Sequence, residues 1–79
     1  MIALKVLSPE AVLVDRDVDT VFLPGTKSRF QVLKNHAPLI TSLEAGTIVW
    51  RVGDKEKEVR IRSGFAEVRD NAVVACVEV

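Results

Sequence analysis

TIVWRVGDKEKEVRIR, residues 47–62, is the stretch that decides the fold class of this chain. Its apolar side chains fall on every second position, at Ile48, Trp50 and Val52 and again at Val59 and Ile61. A period of two is that of a β-strand with one face in a core and the other in water. The turn residues Gly53-Asp54 separate the two runs, and the alternating charges beside them are typical of a hairpin tip with weak cross-strand ion pairs.

The rest of the chain repeats this pattern. Turn signals divide it at Ser8-Pro9, Asp15 to Asp17, Pro24-Gly25, Asn35 to Pro38, Ala45-Gly46, Gly53-Asp54, Ser63-Gly64 and Asp70-Asn71. Their regular spacing and the period of two predict an all-β sandwich or barrel. Ser8 to Ala11 has the residue types of a capped helix start, but the β-branched Val12 and Val14 favour a turn between strands. Ala72 to Val79 carries apolar side chains on both faces until Glu78, which predicts a strand in the middle of the fold.

The composition limits the function. The chain has 79 residues, enough for one domain over residues 1–79, and 48% of them are hydrophobic. Eleven basic and eleven acidic side chains cancel, and only 5% of residues are aromatic, so nucleic-acid binding is not expected. The N-terminus has no secretory signal, and the single cysteine cannot form an internal disulfide.

Residues for catalysis are scarce. His36 is the only possible imidazole base, and the candidate nucleophile Cys76 lies among aliphatic residues, where we expect it to be buried and inert. No set of residues has the spacing of a metal site, and the carboxylates Asp15, Asp17 and Asp19 are interpreted as a solvated turn. The sequence therefore predicts no catalytic residue, metal or cofactor.

One segment is unusual in its charge. No acidic residue lies between Asp19 and Glu44, and four basic side chains interleave there with apolar ones, namely Lys27, Arg29, Lys34 and His36. This pattern suits contact with another protein, and the alternative is an ordinary solvated edge. Trp50 and Phe65 are expected to anchor the core, where truncation of one would cost roughly 3–5 kcal/mol, and the alternative is that either lies under an interface with a partner.

These features together resemble a known family. Leu23-Pro24-Gly25, Val32-Leu33, His36 to Leu39, and Gly64 to Val68 followed by Asp70-Asn71 are similar to motifs in the N-terminal β-sandwich domain of the epsilon subunit of F-type ATP synthases. The resemblance runs from about Leu4 to Val79. It implies a flattened β-sandwich of about ten short, mostly antiparallel strands. It also implies a non-catalytic rotor subunit of the central stalk, which links the gamma shaft to the membrane c ring and couples ion translocation to ATP synthesis. Such a subunit is peripheral on the cytoplasmic side of the bacterial inner membrane, attached only through the complex.

The resemblance also implies a partner-binding surface for the c ring and the gamma shaft. Its residues are Lys27, Ser28, Arg29, Phe30, His36, Ala37, Pro38 and Leu39. Pro38 would hold the preceding backbone extended and present His36 to a partner. The rival interpretation is a histidine that only hydrogen-bonds its own turn.

The chain departs from the family pattern in three places. Arg29 and Gln31 replace an acidic residue and a glycine, which reverses a charge at the surface. Lys34-Asn35 replaces a proline-glycine pair, where asparagine can still adopt a left-handed turn conformation. The sequence stops at Val79, before the helical hairpin of most relatives, so we expect no inhibition by such a hairpin. The alternative function is a free-standing β-sandwich module that binds a ligand or a protein, which would need a concave pocket with converging polar groups.

Overall fold

A computed structural model describes all residues, 1–79, and they form nine β-strands and no helix. The strands are β1 Ile2–Leu7, β2 Val12–Val18, β3 Thr20–Pro24, β4 Arg29–Val32, β5 Leu39–Leu43, β6 Gly46–Val52, β7 Lys55–Ile61, β8 Ser63–Arg69 and β9 Ala72–Glu78. The predicted hairpin over residues 47–62 is confirmed as β6 and β7, joined by the turn at Gly53-Asp54. The all-β class is confirmed too, with nine strands where about ten were expected.

The strands form two sheets. Sheet A has the order β2-β1-β9-β8-β5, and sheet B has the order β4-β3-β6-β7. All neighbours are antiparallel except β1 and β9, which pair in parallel. The edges of the sandwich are therefore β4 and β5 on one side, and β2 and β7 on the other.

The period of two places one face of each strand in a common core. The core contains 17 buried apolar residues. Ile2, Leu4 and Val6 of β1 are among the most deeply buried, as their alternation predicts. Trp50 is buried, with 7% of its surface exposed, so its predicted place in the core is confirmed.

Three details of the sequence prediction are wrong. Ser63 and Gly64, expected in a turn, begin β8 and are paired with Glu78 and Val77 of β9. Asp15 to Asp17 lie inside β2 and form no turn, because the two carboxylates alternate with Arg16 along an edge strand. The strand β9 is central in sheet A as predicted, but only one of its faces is buried. Val73, Ala75 and Val77 enter the core, whereas Val74 is exposed on the outer face.

The predicted turns at Ser8 and Asp70-Asn71 are confirmed. The Ser8 N–H donates to the Ala11 carbonyl at 2.9 Å, and the Ala11 N–H donates to the Ser8 hydroxyl at 3.2 Å. Asp70 and Asn71 both have positive φ, at 51° and 58°. Asn35 has a φ of 66°, so it adopts the left-handed conformation expected in place of a glycine.

Candidate protein-binding surface

The eight candidate residues all lie on one side of the sandwich. Lys27 and Ser28 are in the loop between β3 and β4, and Arg29 and Phe30 begin β4, an edge of sheet B. His36, Ala37 and Pro38 lie in the loop between β4 and β5, and Leu39 begins β5, an edge of sheet A. We call this side the β4–β5 edge. The β3–β4 loop is bonded to β5 here, since the Thr26 N–H donates to the Ser42 carbonyl at 3.1 Å.

Phe30 and His36 are brought together although they belong to different segments. Their ring centroids are 6.3 Å apart, with the planes tilted by 40°. Gly25 makes room for the phenyl ring, because a Cβ atom at this position would lie 3.0 Å from Phe30 Cε1 and 2.7 Å from the Ser28 carbonyl oxygen. The half-buried Phe30 therefore supports the imidazole from the sandwich side.

His36 makes one hydrogen bond within its own turn, and its other ring nitrogen has no partner in the chain. Its Nδ1 lies 2.7 Å from the Ala37 carbonyl oxygen. A carbonyl oxygen only accepts, so Nδ1 carries the proton in this contact. Nε2 is then an acceptor in the neutral ring and a donor in the charged ring. The turn hydrogen bond of the rival interpretation exists, and it leaves Nε2 for a partner.

The loop that carries His36 is fastened to a distant turn. The Asn35 backbone N–H donates to Asn71 Oδ1 at 2.6 Å, and Asn71 Nδ2 donates to Asn35 Oδ1 at 3.2 Å. The two residues are 36 positions apart, and both have positive φ. We call this contact the asparagine pair. It holds the β4–β5 loop against the β8–β9 turn.

The basic side chains of this surface differ in whether they contact other parts of the chain. Arg29 Nη1 donates to the Thr47 carbonyl at 2.8 Å, and its guanidinium lies 5.9 Å from the centroid of the Phe22 ring. This places the charge of Arg29 over the outer face of sheet B. Lys27 and Lys34 are exposed and take part in neither ion pair of the structure. The two lysines therefore supply positive charge without an ion-pair partner at the β4–β5 edge.

A second surface lies on the outer face of sheet A, and it includes two residues that were expected to be buried. Phe65 was expected in the core, but 57% of its surface is exposed. Its strand buries Ala66 and Val68, so the alternation turns Phe65 and Glu67 to the outside. Cys76, expected to be buried, is half-buried on the outer face of sheet A, where it is directly paired with Phe65. The charged neighbour Glu67 is the signal that could have shown this orientation.

Phe65 and Cys76 belong to an apolar strip on the outer face of sheet A, which consists of Leu7, Ile40, Phe65, Val74 and Cys76. Ile40 is 73% exposed, and Phe65 is 57% exposed. At one end the strip borders an open cavity of about 580 Å³ between Leu7, Pro9, Phe65 and Cys76. Leu7, Cys76 and Phe65 are paired directly across three strands, whereas Val74 and Ile40 lie on either side of Glu67. Exposed apolar groups that are contiguous across strands mark a contact site for a partner.

Two further features concern metal ligands and membrane-spanning helices. No three His, Cys, Asp or Glu side chains gather into a group that could hold a metal ion. No helix has the length and hydropathy needed to cross a lipid bilayer.

Two known proteins similar to this chain are both named ATP synthase epsilon chain. An ATP synthase epsilon chain of Leptospira borgpetersenii is 42% identical over 69 residues, which are 87% of this chain and 54% of that protein. One from Synechocystis is 37% identical over 76 residues, or 96% of this chain and 56% of that protein. The chain thus spans about half the length of these relatives.

Solved structures agree on the fold. A chain in the Euglena gracilis mitochondrial ATP synthase structure of OSCP, F1 and c-ring matches 96% of this chain with a TM-score of 0.89 and 22% identity, and the match covers 49% of that chain. A chain in the central stalk and c-ring of the Tetrahymena thermophila enzyme matches 99% of this chain, and 63% of its own length, with a TM-score of 0.82 and 13% identity. The family model for the ATP synthase delta/epsilon chain β-sandwich domain matches residues 1–79, and this chain belongs to that family.

Proposed function

We propose that this chain acts as a non-catalytic rotor component of an F-type ATP synthase, linking the gamma shaft to the c ring. In that place it couples ion translocation to ATP synthesis. The proposal rests on the family match over residues 1–79. Relatives named ATP synthase epsilon chain support it, and a chain of the same fold occurs in the central stalk and c-ring of the Tetrahymena thermophila enzyme. The location that follows is peripheral, on the cytoplasmic side of the bacterial inner membrane, through the complex.

The two surfaces suit two kinds of contact. The apolar strip is proposed to receive the shaft, because permanent interfaces are the more hydrophobic class. The β4–β5 edge, with Lys27, Ser28, Arg29, Phe30, His36, Ala37, Pro38 and Leu39, is proposed to meet the c ring. The free charges of Lys27 and Lys34 favour an acidic or carbonyl-rich loop on that ring.

The fold suits a mechanical role. All nine strands are hydrogen-bonded to a neighbour in one of two sheets, and a cluster of 17 buried apolar residues fills the core. Close-packed interiors have low compressibility and transmit strain. A load applied at one edge is therefore carried through the sandwich with little deformation.

The alternative of a ligand-binding module has less support. The cavity of about 580 Å³ beside Phe65 has a volume usual for small-molecule sites. Its polar lining is limited to Ser8, Ser63 and Glu78 beside backbone groups, and it is continuous with the apolar strip. We interpret it as part of the docking face for the shaft.

Co-expression with the gamma and c subunits of the same genome tests the proposal. The expected result is co-purification of the tagged chain with the gamma subunit at equal stoichiometry. Phe65→Ser should weaken this binding without unfolding the chain, and Lys27→Glu with Lys34→Glu should instead reduce retention by the assembled c ring. Glu58→Gln, on the outer face of sheet B, is the matched control. A chain that stays monodisperse and alone beside both subunits would refute the proposed function.

A further inference from the structure

A small cavity of about 190 Å³ lies on the side of the sandwich opposite the β4–β5 edge. It lies between β2 of sheet A and β7 of sheet B, which are the two remaining edge strands. Its lining residues are Arg16, Trp50, Val52, Lys55 and Lys57. We call it the cationic slot, because three of these five residues carry a positive charge.

Strand register explains why the cations turn toward the slot. Residues paired directly across two strands project from the same face of the sheet. Lys57 is paired with the buried Trp50, and Lys55 is paired with Val52. Arg16 is paired with Leu4, which is 1% exposed. All three cations therefore stand on the core side of their strands.

The same alternation removes the acidic side chains from the slot. Asp15 and Asp17 flank Arg16 and project to the outer face of sheet A, beside Lys5 and Ala3. Glu56 lies between the two lysines and bonds instead to Arg51 at 2.8 Å on the outer face of sheet B. Neither ion pair of the structure includes a cation of the slot. No carboxylate lines the slot, and Asp19, which accepts from the Gly53 N–H beside Val52 at 2.7 Å, lies next to it without being part of the lining.

Trp50 forms one wall of the slot. Its indole Nε1 has no hydrogen-bond partner and is closed off from solvent, so an ion in the open slot would lie against the ring and not against this nitrogen. The ring therefore serves as a spectroscopic reporter beside the three cations.

We propose that the cationic slot binds a small oxyanion of the phosphate class, held by Arg16, Lys55 and Lys57 beside Trp50. Arginine and lysine form charge-assisted hydrogen bonds with phosphate oxygens, which are stronger than neutral ones. The volume is below the roughly 300–1,000 Å³ of pockets for drug-sized ligands, so a nucleotide does not fit. Inward-pointing charges also prevent edge strands from pairing with other chains, and the titration below decides between that role and anion binding. The proposal does not depend on the rotor function.

The fluorescence of Trp50 provides a direct test, because it is the only tryptophan and the chain has no tyrosine. Inorganic phosphate is titrated into the 79-residue chain at constant ionic strength, kept by replacing sodium chloride. We expect a saturable change in the intensity or wavelength of emission, and a Kd that rises with ionic strength. A response that does not saturate, or that chloride reproduces, would overturn the proposal and leave edge protection as the role of these cations.

A matched pair of variants on one strand separates the slot from general charge. Lys57→Gln removes a cation on the core side of β7, and Arg60→Gln removes one from its outer side, since Arg60 is paired with the outward Thr47. Both side chains are exposed, so neither change should unfold the chain. Lys57→Gln is expected to raise the Kd about tenfold, and Arg60→Gln less than about twofold. Equal effects of the two variants would refute the assignment.

The phosphate chemistry could come from free phosphate or from a phospholipid headgroup. Dimethyl phosphate, a phosphodiester like that of a headgroup, is titrated in the same way. A higher Kd than for inorganic phosphate assigns the slot to the free ion, and an equal or lower Kd assigns it to headgroups. Either result supports the site, whereas saturation by neither anion contradicts it.

Discussion

The asparagine pair offers the sharpest test of how the His36 loop is held. The perturbation is Asn71→Gly, which removes the side chain that accepts from Asn35 N–H at 2.6 Å and donates to Asn35 Oδ1 at 3.2 Å. Glycine is chosen because Asn71 has a φ of 58°, a conformation that alanine would adopt only with strain. The backbone of the β8–β9 turn is therefore retained while both hydrogen bonds are lost.

The magnitude follows from the two lost contacts. A typical intramolecular hydrogen bond contributes about 0.5–1.5 kcal/mol net, and both of these are exposed to solvent. We expect the free energy of unfolding to fall by about 1–2 kcal/mol, with a lowering of Tm of roughly 5–15 °C for a domain of this size. Asn35→Gly removes only the longer contact, so it should cost about half as much.

Urea denaturation followed by circular dichroism measures the global effect, and amide hydrogen exchange locates it. The Asn35 amide loses its acceptor in Asn71→Gly and should exchange at least about fivefold faster, while amides of the β6–β7 hairpin are unchanged. Asp70→Gly is the control. It introduces glycine into the same turn at a φ of 51°, and Asp70 makes only a 3.8 Å contact with Arg69. An unaltered Asn35 exchange rate, or an equal loss in the control, would refute the role of the pair.

Substitutions at three further residues test the core and the strip, each by urea denaturation. Gly64→Ala should lower the free energy of unfolding by about 1–3 kcal/mol, because the new Cβ would press on the Cys76 carbonyl and lie 3.0 Å from Val77 Cα. Unchanged stability would contradict the close approach of β8 and β9 at this position. Trp50→Phe should change the free energy of unfolding by less than about 1 kcal/mol, because it removes a buried donor without a partner. Trp50→Ala should lower it by about 3–5 kcal/mol. Equal losses in the two variants would show that the indole nitrogen is bonded. Phe65→Ser should leave stability within about 0.5 kcal/mol, and a large loss would return Phe65 to the core.

Much of the fold follows from the period of two. The hairpin over residues 47–62 and the turn at Asp70-Asn71 were both predicted, because alternation and turn chemistry are local properties of the chain. The prediction failed where local chemistry is ambiguous. Asp15 to Asp17 has the residue types of a turn, yet in the structure these residues are the polar face of an edge strand. Sequence alone does not show which strands lie at an edge.

The candidate surfaces were less predictable for the same reason. The His36 loop and its basic neighbours are continuous in sequence, and their charge pattern is visible there. The asparagine pair joins residues 36 positions apart, and the cationic slot combines side chains from β2, β6 and β7. Both depend on strand order and register, which no single segment encodes. Phe65 was misplaced because aromatic residues are usually buried, although Glu67 on the same face indicated otherwise.

Asn71 connects the candidate surface to the middle of the fold. Its side chain holds the His36 loop, and its backbone carbonyl accepts from the Ala3 N–H at 2.9 Å, where β1 begins to pair with β9. A force on the loop is therefore transmitted directly to β1 and β9, which are interior strands of sheet A. The edge strands β4 and β5 are not its only route. Edge strands open more easily than central ones, because they have one hydrogen-bonded neighbour and more exposed backbone. Under the proposed function, this connection is what would let a short surface loop carry load from the c ring without peeling from the sandwich.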